Sequence, residues 1–377
     1  MQSILIISFS AVDRDPRVNR QIELFKNEYN LTLAGYSESN RSEIELINIE
    51  RKKNSIPRKL LSASLLALKR YAKYYWSQNH IQQSLHKLKG RTFDLILAND
   101  INSLPLAFKL ASSGTPILFD AHEYSPREFE DRFIWRMLFQ RYYYFLCSSY
   151  IPKVDAMMTV CEGIAQEYQK NFGVNPVVIT NAPHFQNLHP TPVDKNAIKI
   201  VHHGLAHKSR KIELMIEVFK LLDKRFYLDF YLVGDAEYIQ YLKSLTKDIP
   251  RIRFCDPVDM KKLSEVCNKY DIGLFLLVPI NFNYAMALPN KFFEFVQARL
   301  AIAIGPSSEM ARLVGQYDCG IVAQDFEPSS LAKLLNDLTI EKITYFKTQS
   351  SIAAKNLCFE HNAEKIRSLV NQLSRIE

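Results

Sequence analysis

Residues 288–294, Leu-Pro-Asn-Lys-Phe-Phe-Glu, combine groups that could bind an anion and sugar hydroxyls within two helical turns. Pro289 suits the first position of a helix, because its fixed φ is helical and its missing N–H has no partner there. The free amides that follow can hold phosphate, and Lys291 adds a full charge. Glu294, on the same face as Asn290, could accept hydrogen bonds from vicinal ribose hydroxyls. The segment predicts a sugar-nucleotide site, although an amphipathic helix with solvated polar residues would show the same pattern.

The composition of the 377-residue chain is that of a globular protein large enough for two domains. Hydrophobic residues make up 47% of the chain and charged residues 23%, which argues against a disordered protein. No apolar run reaches the roughly 20 residues that cross a bilayer. The N-terminus lacks the basic start and the small-residue cleavage site of a signal peptide. We therefore expect a cytoplasmic location.

Several enzyme classes are excluded by motifs that the sequence lacks. It contains no Walker-type lysine loop and no Gly-x-Gly-x-x-Gly fingerprint, which argues against an ATPase and a standard dinucleotide dehydrogenase. Its six cysteines are scattered, without the two-residue spacing of zinc sites, and its nine histidines lack a zinc-protease spacing. We expect no metal ion and no cofactor.

The positive charge of the chain is concentrated in one segment. Residues 51–90 contain ten Lys or Arg and no Asp or Glu, whereas the whole chain has a formal net charge of +8. The segment also carries leucines and aromatics, namely Leu60, Leu61, Leu65, Leu66, Leu68, Tyr71, Tyr74, Tyr75 and Trp76. This mixture is typical of an amphipathic segment that lies on anionic lipid, so we expect it to bind a membrane surface. Nucleic acid is the competing partner, but no RNA-binding signature accompanies the segment and we expect no nucleic acid.

A second basic and aromatic segment, residues 132–153, is compatible with two structures. Its aromatic side chains could lie on the same membrane surface. They could equally form part of the core while the arginines remain solvated.

Apolar strands alternate with helical periodicity along the chain, as in parallel sheets covered by helices. The expected strands are residues 4–9, 31–35, 95–98, 116–119, 156–160 and 177–179, then 198–201, 230–233, 252–254, 272–276, 301–304 and 320–322. The pattern predicts an α/β protein with two Rossmann-like domains, whose parallel sheets face a central cleft. The expected division is a first domain at 1–185, a linker at 186–197, a second domain at 198–357, and a helix at 358–377 that packs back on the first domain.

Polar residues follow several of these strands, at the edge where such sheets bind ligands. Residues 99–100 (Asn-Asp) follow the third strand, residues 120–123 (Asp-Ala-His-Glu) follow the fourth, and Gly204 lies beyond the first strand of the second half. A helix is expected over residues 210–222, with two basic residues at its positive start.

With these motifs in this order, the chain resembles the retaining glycosyltransferases of family 4, which have the GT-B fold, and it is similar to members that build surface polysaccharides. The matching motifs of the C-terminal half are residues 202–204, 210–211, 232–235 and 288–309. Those of the N-terminal half are residues 13–21, 120–123 and 181–183. The resemblance implies that the first domain binds the acceptor and the second binds a nucleotide-sugar donor.

The resemblance also implies which residues bind the donor. The implied set is Gly204, Arg210, Lys211, Pro257, Val258, Leu288, Asn290, Lys291 and Glu294. Within it, Lys211, with Arg210 as the alternative, would bind the diphosphate, and Glu294 would bind the ribose. Amides at the helix start would hold the distal phosphate, and the backbone near Pro257 and Val258 would meet the base.

His122 is the implied catalytic residue, across the cleft near the transferring sugar and the acceptor hydroxyl. Asp15, Arg17 and Glu123 are the implied acceptor-side residues. Such enzymes retain the anomeric configuration by attack on the face of the leaving group, whose phosphate oxygen helps to take the acceptor proton. No protein nucleophile is implied, so the protein positions the reactants and stabilises charge on the departing diphosphate.

The residues alone leave structural alternatives for these assignments. His122 could be a loop histidine bonded to backbone, and Glu123 could be the charged partner that orients it. Asp15 and Arg17 could form a local ion pair or a helix cap. The histidines at 202–203 could be structural residues at a strand end.

Three positions depart from the family pattern. Met286 stands where many members have a second Glu that grips the sugar, and Leu205 stands where an Arg often follows the Gly. Arg299 stands where a Gly is common, and we expect it to be exposed.

The sequence thus predicts an enzyme that moves a sugar from a nucleotide-sugar donor to a lipid-linked saccharide acceptor, at the inner face of the plasma membrane, in surface polysaccharide assembly. Met286 leaves a catalytically silent nucleotide-sugar-binding scaffold as an alternative. A nucleotide-sugar epimerase on a related fold is a further alternative, but it would need acid–base residues for which the chain offers few candidate carboxylates.

Overall fold

The computed structural model describes residues 1–38, 42–52 and 55–374. These residues form two compact units. Unit 1 comprises Met1–Thr180, Asn281–Asn283 and the described residues from Ala363 onward, and unit 2 comprises Asn181–Ile280 and Tyr284–Asn362. Lys53 of the basic segment and the last three residues of the expected C-terminal helix lie outside the described residues.

The described part of unit 1 contains a seven-stranded parallel sheet. Its strands are β1 (Ser3–Ala11), β2 (Asn30–Tyr36), β3 (Glu45–Asn48), β4 (Leu95–Asn99), β5 (Ile117–Ala121), β6 (Ala156–Thr159) and β7 (Val177–Val178). They lie in the order β3-β2-β1-β4-β5-β6-β7. All side chains of β4 and β5 are buried, as expected for parallel strands with helices on both faces of the sheet.

Eight α-helices lie in the described first half of the chain. They are α1 (Pro16–Phe25), α2 (Ile56–Ala67), α3 (Tyr71–Trp76), α4 (Asn79–Lys87), α5 (Leu104–Leu110), α6 (Phe133–Trp135), α7 (Arg141–Tyr150) and α8 (Glu162–Phe172). A π-helical turn, Arg136–Gln140, joins α6 to α7. The Asp15 side chain accepts hydrogen bonds from the amides of Arg17 and Val18 at 3.0 and 3.2 Å, which confirms the helix cap predicted at Asp15.

The described part of unit 2 contains a six-stranded parallel sheet. Its strands are β8 (Ile198–Ala206), β9 (Phe226–Gly234), β10 (Ile252–Cys255), β11 (Ile272–Phe275), β12 (Ala301–Ile304) and β13 (Gly320–Val322), in the order β10-β9-β8-β11-β12-β13. The helices of the second half of the chain are α9 (Glu213–Lys220), α10 (Ala236–Ser244), α11 (Leu263–Cys267), α12 (Phe282–Ala285), α13 (Asn290–Gln297), α14 (Ser308–Tyr317), α15 (Pro328–Asn336), α16 (Ile340–Asn356) and α17 (Phe359–Leu373).

Both sheets have the strand order of a Rossmann-like domain. In each sheet the first strand, β1 or β8, lies beside the fourth, β4 or β11, and the connections reverse direction at that point. Ligands of such sheets bind beyond the carboxyl ends of the strands at this reversal. The prediction of two Rossmann-like domains with parallel sheets is confirmed, and the fold directs attention to the ends of β1, β4, β8 and β11.

Two local expectations were incomplete. All twelve expected strands are present, but β3 was missed, because this four-residue edge strand has no long apolar run. The helix expected over 210–222 is a 3₁₀ turn, Lys208–Arg210, followed by α9. Lys211 separates the two with a left-handed φ of 46°, which a continuous right-handed helix does not allow.

Candidate functional site

The helix start predicted in residues 288–294 is present, one residue later than expected. α13 begins at Asn290, and Pro289 precedes it with φ −79° and ψ 159°. Because this ψ is extended, Pro289 is the residue before the helix and not its first turn. Amides at a helix start lack acceptors in the preceding turn, and here the amide of Phe292 donates to the carbonyl oxygen of Pro289 at 3.0 Å. The predicted anion site therefore consists of the amides of Asn290 and Lys291.

α13 is buried on every side. Every residue from Lys291 to Gln297 is buried, and Lys291 and Glu294 are only 4% and 8% exposed. The helix approaches β11 closely because Gly273 has no side chain: a Cβ there would lie 2.5 Å from the ring of Phe295. The alternative of an amphipathic helix with solvated polar residues is therefore wrong.

The ammonium group of Lys291 faces the carboxyl end of β8. Its Nζ lies 3.1 Å from Nε2 of His202 and 4.2 Å from the centroid of the Phe275 ring. His202 Nδ1 is 2.8 Å from the carbonyl oxygen of Leu274, to which it donates. We therefore assign Nε2 as the nitrogen that accepts a hydrogen bond from Lys291.

Burial governs the protonation of this pair. Burial lowers the pKa of Lys291 well below its ordinary value, Arg210 lowers it further, and Glu294 opposes the shift. Burial also lowers the pKa of His202, with a further contribution from the charge of Lys291, so the imidazole is neutral at physiological pH. A bound diphosphate would favour the charged ammonium, because an anion beside a lysine stabilises its protonated form.

Glu294 meets the second histidine of β8. Its Oε2 lies 3.6 Å from Nε2 of His203, whose ring packs edge-on against Phe295 with centroids 5.0 Å apart. Burial, followed by the charge of Lys291, lowers the pKa of His203 to about 3, so this imidazole is neutral as well. The sequence suggested a structural role for both histidines, whereas each contacts an ionisable side chain of α13. Their position directly before Gly204, near the end of a strand, was the feature of the sequence that could have indicated a place beside the donor site.

Gly204 lies beside two basic side chains. Its φ of 117° is left-handed, and a Cβ there would lie 3.3 Å from Nζ of Lys291 and 3.9 Å from Nη1 of Arg210. Lys211, which the resemblance favours for the diphosphate, is exposed. Of the two neighbouring basic residues, Arg210 is the one that the structure brings to Gly204 and Lys291.

The other predicted donor residues lie at the same edge of the sheet or at the start of α13. Pro257 and Val258 follow β10 after one intervening residue, Asp256, and β10 is two strands from β8. Pro257 is exposed and Val258 is half-buried. Leu288 is buried just before α13, and Asn290 is the half-buried first residue of that helix.

The three departures from the family pattern have different surroundings. Met286 is half-buried, with its sulfur 3.5 Å from Oγ of Ser308, and Leu205 is exposed. Arg299 is buried, so the expectation that it is exposed was wrong. Its φ of 62° turns the chain after α13, and its guanidinium donates to the carbonyl oxygen of Gln297 at 2.6 Å, which satisfies a carbonyl at the helix end.

A buried ion pair joins Arg17 to Asp120 in unit 1. Nε and Nη2 of Arg17 donate to the two carboxylate oxygens of Asp120 at 2.7 Å each, and Nη1 donates to the carbonyl oxygen of Ile179 at 2.7 Å. Arg17 therefore pairs with Asp120 at the end of β5, not with Asp15 in the local pair that the sequence suggested. Burial opposes ionisation of Asp120, but Arg17 and His122 hold its pKa well below the usual range.

Amide side chains extend this pair to His122. Nε2 of Gln21 donates to Asp120 at 2.7 Å and to Oδ1 of Asn99 at 3.0 Å. The same Asn99 oxygen lies 3.1 Å from Nε2 of His122. Oδ2 of Asp120 is 3.7 Å from Nε2, and Oδ2 of Asp100 is 3.7 Å from Nδ1. His122 is thus held by side chains at the ends of β4 and β5, and the alternative of a loop histidine bonded to backbone does not describe it.

His122 is an imidazolium at neutral pH. Burial alone would lower its pKa, but Asp100 and Asp120 together raise it to about 9. Both ring nitrogens then donate hydrogen bonds. Glu123 has an exposed side chain, and its carbonyl oxygen accepts a hydrogen bond from the Tyr168 hydroxyl at 2.8 Å.

In the part of the chain that the structure describes, no three His, Cys, Asp or Glu side chains are arranged to hold a metal ion. Over the same residues, none of the helices combines the length and the apolar character needed to span a bilayer.

Solved glycosyltransferase structures share this fold. Anabaena HepE, solved in complex with UDP and glucose, is 13% identical, with 99% of this chain and 100% of that chain covered and a TM-score of 0.67. Sucrose-phosphate synthase from Thermosynechococcus elongatus is 12% identical, with 99% of both chains covered and a TM-score of 0.70. WaaG, a glycosyltransferase involved in lipopolysaccharide biosynthesis, is 12% identical over 96% of this chain and 98% of its own, with a TM-score of 0.66.

These similarities establish the fold, which is that of GT-B glycosyltransferases. No protein-family model matches the sequence, and no curated protein matches it significantly.

Proposed function

We propose that this protein is a glycosyltransferase that moves a sugar from a nucleotide-sugar donor to a saccharide acceptor. The observation that carries the proposal is the convergence of Gly204, Arg210, Lys291 and Glu294 in unit 2, where β8 ends and α13 begins. Two cations and free helix amides suit a diphosphate, and a nearby carboxylate suits ribose hydroxyls.

The proposed chemistry rests on charge stabilisation. Lys291, which is buried, and Arg210, which is half-buried, would stabilise the charge that develops on the departing diphosphate. Gly204 leaves room for the phosphate oxygens beside both cations, and Glu294 would orient the nucleoside through its ribose. Because His202 and His203 are neutral, they carry no positive charge that would oppose protonation of Lys291 when phosphate binds.

The proposal extends to the acceptor and to retention of configuration. HepE has been solved with UDP and glucose, and WaaG is involved in lipopolysaccharide biosynthesis. With the resemblance to family 4, these neighbours support a lipid-linked saccharide acceptor and a role in surface polysaccharide assembly at the inner membrane face. His122, as an imidazolium, would donate hydrogen bonds to sugar or acceptor hydroxyls, and the departing phosphate oxygen would take the acceptor proton.

A donor screen tests the first step. Calorimetric titration with UDP, GDP, ADP and TDP sugars should give binding to at least one, and Lys291→Met should remove it. The fold of this variant should be as stable as that of the parent or more stable by about 1 kcal/mol, because a buried ammonium group is replaced by an apolar side chain of similar size. Lys220→Ala, in an exposed pair with Glu217, is the matched control and should bind normally. Absence of binding to every donor would remove the main support for the proposal.

Met286, in place of the usual second Glu, specifically favours a silent scaffold as the second candidate. A scaffold would bind the donor but form no product. Mass spectrometry of reactions that contain the donor and a membrane extract as the acceptor source separates the two candidates. Replacement of Lys291 and Glu294 by Ala should abolish the cellular glycan if the protein is an enzyme, and leave it unchanged if it is a scaffold.

A further inference from the structure

An apolar stripe on α2 points away from the core of unit 1. The side chains of Ile56, Leu60, Leu61 and Leu68 are each more than half exposed. Ile56 and Leu60 are one four-residue step apart, Leu61 is adjacent to Leu60, and Leu68 caps the helix two further steps beyond Leu60, so they lie on one side of α2, while Leu65 and Leu66 are buried. α2 therefore has one apolar face in the core and a second in solvent, and within the described residues nothing covers the second face.

A second exposed apolar group lies on a neighbouring helix. Phe133, Ile134 and Met137 are likewise more than half exposed. They occupy α6 and the π-helical turn Arg136–Gln140, which packs against α2. We call the two groups together the apolar-basic surface, because exposed basic residues surround them, namely Lys59, Lys69, Arg70, Lys73, Arg132, Arg136 and Arg141.

The aromatic residues of the basic segment do not belong to this surface. Tyr71 and Tyr74 pack on Tyr142, with ring centroids 5.9 and 5.0 Å apart. Tyr75 is buried and donates to the carbonyl oxygen of Asn102 at 2.9 Å. Three of the expected interfacial aromatics therefore pack within unit 1: Tyr71 and Tyr74 join α3 to α7, and Tyr75 also accepts a hydrogen bond from the amide of Leu106 in α5. Trp76 is half-buried beside Tyr75, and aliphatic side chains take the outward positions.

We propose that the apolar-basic surface docks on an anionic lipid bilayer. Its aliphatic and Phe side chains would enter the boundary between headgroups and acyl chains, and the surrounding ammonium and guanidinium groups would contact lipid phosphates. Charge complementarity favours lipid as the partner, because residues 51–90 contain no acidic side chain. Lysines around an aliphatic stripe are also unfavourable for a protein partner, since lysine is depleted at the core of protein interfaces.

This proposal goes beyond sugar transfer, because the surface belongs to unit 1 and the donor residues belong to unit 2. Two acidic residues adjoin the surface, the half-buried Glu130 and the exposed Asp131. Of these, Glu130 is paired with Arg127 at 2.6 Å, and Asp131 accepts a hydrogen bond from Asn281 at 2.9 Å. The basic residues therefore dominate the charge at the surface.

Flotation of the full chain with lipid vesicles tests the proposal. Binding is expected to vesicles of phosphatidylglycerol and phosphatidylcholine in equal parts, with little binding to phosphatidylcholine alone and a decline as salt is added. The double variant Leu60→Glu with Ile134→Glu should bind at least about ten-fold more weakly, because two charges replace buried apolar contacts with lipid. Ile352→Glu, at an exposed position of α16 in unit 2, is the matched control and should bind like the parent.

Three results would overturn the proposal. One is equal binding to neutral and anionic vesicles, and another is unchanged vesicle binding of the double variant. The third is self-association that the double variant abolishes, without vesicle binding, which would assign the surface to a second copy. Nucleotide binding, measured on the same variants, should be unaffected, so that a failure of the donor site is distinguished from a failure of this surface.

Discussion

Two carboxylates set the charge of His122. The ring lies between Asp100 and Asp120, each 3.7 Å from a ring nitrogen, and its pKa rises to about 9. A histidine that is protonated at neutral pH is a hydrogen-bond donor and cannot accept a proton from an acceptor hydroxyl. At the residue scale, this geometry supports a role in positioning and charge stabilisation in preference to general base catalysis.

Titration of His122 by NMR should give a midpoint near 9. In Asp100→Asn the midpoint should move down toward 6.5, the ordinary value, because one of the two stabilising carboxylates is lost. Assignment by comparison with His122→Gln separates its signal from those of the other histidines. A parent midpoint at or below the ordinary value would contradict the imidazolium.

The same shift makes stability depend on pH. Because folding raises the pKa of His122 from 6.5 to about 9, its contribution is complete below pH 6.5 and is lost as the pH rises through 9. The difference in unfolding free energy between the parent and His122→Gln should be roughly 3 kcal/mol at its largest and should shrink above neutral pH. Urea unfolding at several pH values measures this difference in free energy. A difference that grows with pH would contradict the prediction.

The residue contacts that the sequence could not predict join distant positions. Spacing alone placed Lys291 and Glu294 on one turn of a helix. The neighbour of Lys291, however, is His202 on strand β8, 89 positions away, and Arg17 pairs with Asp120 across 103 positions. Such contacts depend on strand order, which a single chain's periodicity does not specify.

At the element scale, the Arg17–Asp120 pair connects α1 to β5. Arg17→Ala should lower the unfolding free energy by about 3 to 5 kcal/mol, because it leaves a buried carboxylate without its cation. The matched control is Arg91→Ala, which breaks an exposed pair with Glu45 at 2.7 Å and should cost under about 1 kcal/mol. Urea unfolding measures the free energy of both variants. Equal losses would show that burial does not determine how much the Arg17–Asp120 pair stabilises the fold.

The close packing of α13 on β11 should also be sensitive to substitution. Gly273→Ala places a Cβ 2.5 Å from the Phe295 ring, so the helix must shift. We expect a loss of about 1 to 3 kcal/mol in unfolding free energy and weaker nucleotide binding, since α13 carries Lys291 and Glu294. Gly315→Ala, in α14 with no atom within 4 Å of the new Cβ, should be neutral or slightly stabilising. Unchanged binding in Gly273→Ala would show that α13 tolerates the displacement.

The elements were more predictable than the surfaces that they present. Apolar runs indicated the central strands because parallel strands are buried on both faces. In α2, leucines occur both at the buried positions Leu65 and Leu66 and at the exposed positions Leu60 and Leu61, so periodicity could not show which face meets the core. Tyr71 and Tyr74 of α3 look interfacial in the sequence for the same reason, although both are packed against α7.

At the scale of the whole molecule, the chain divides its proposed tasks between two units. The donor residues are contributed by unit 2, and the cluster around His122 and the apolar-basic surface belong to unit 1. A ligand that binds only the folded protein reduces the local opening of the elements that it contacts. Different ligands should therefore protect different parts of the chain from hydrogen exchange.

Hydrogen exchange of the full chain should distinguish the two ligands. The nucleotide identified in the donor screen should slow exchange at the end of β8 and in the first turn of α13, because phosphate oxygens accept hydrogen bonds from those amides. Anionic vesicles should slow exchange in α2 and around residues 133–140 and leave α13 unchanged. Protection at 100-fold ligand excess over Kd is expected to reach about 2.7 kcal/mol, and Lys291→Met should lose only the nucleotide effect. If the nucleotide instead protected α2, or the vesicles protected α13, the assignment of tasks to the two units would be wrong.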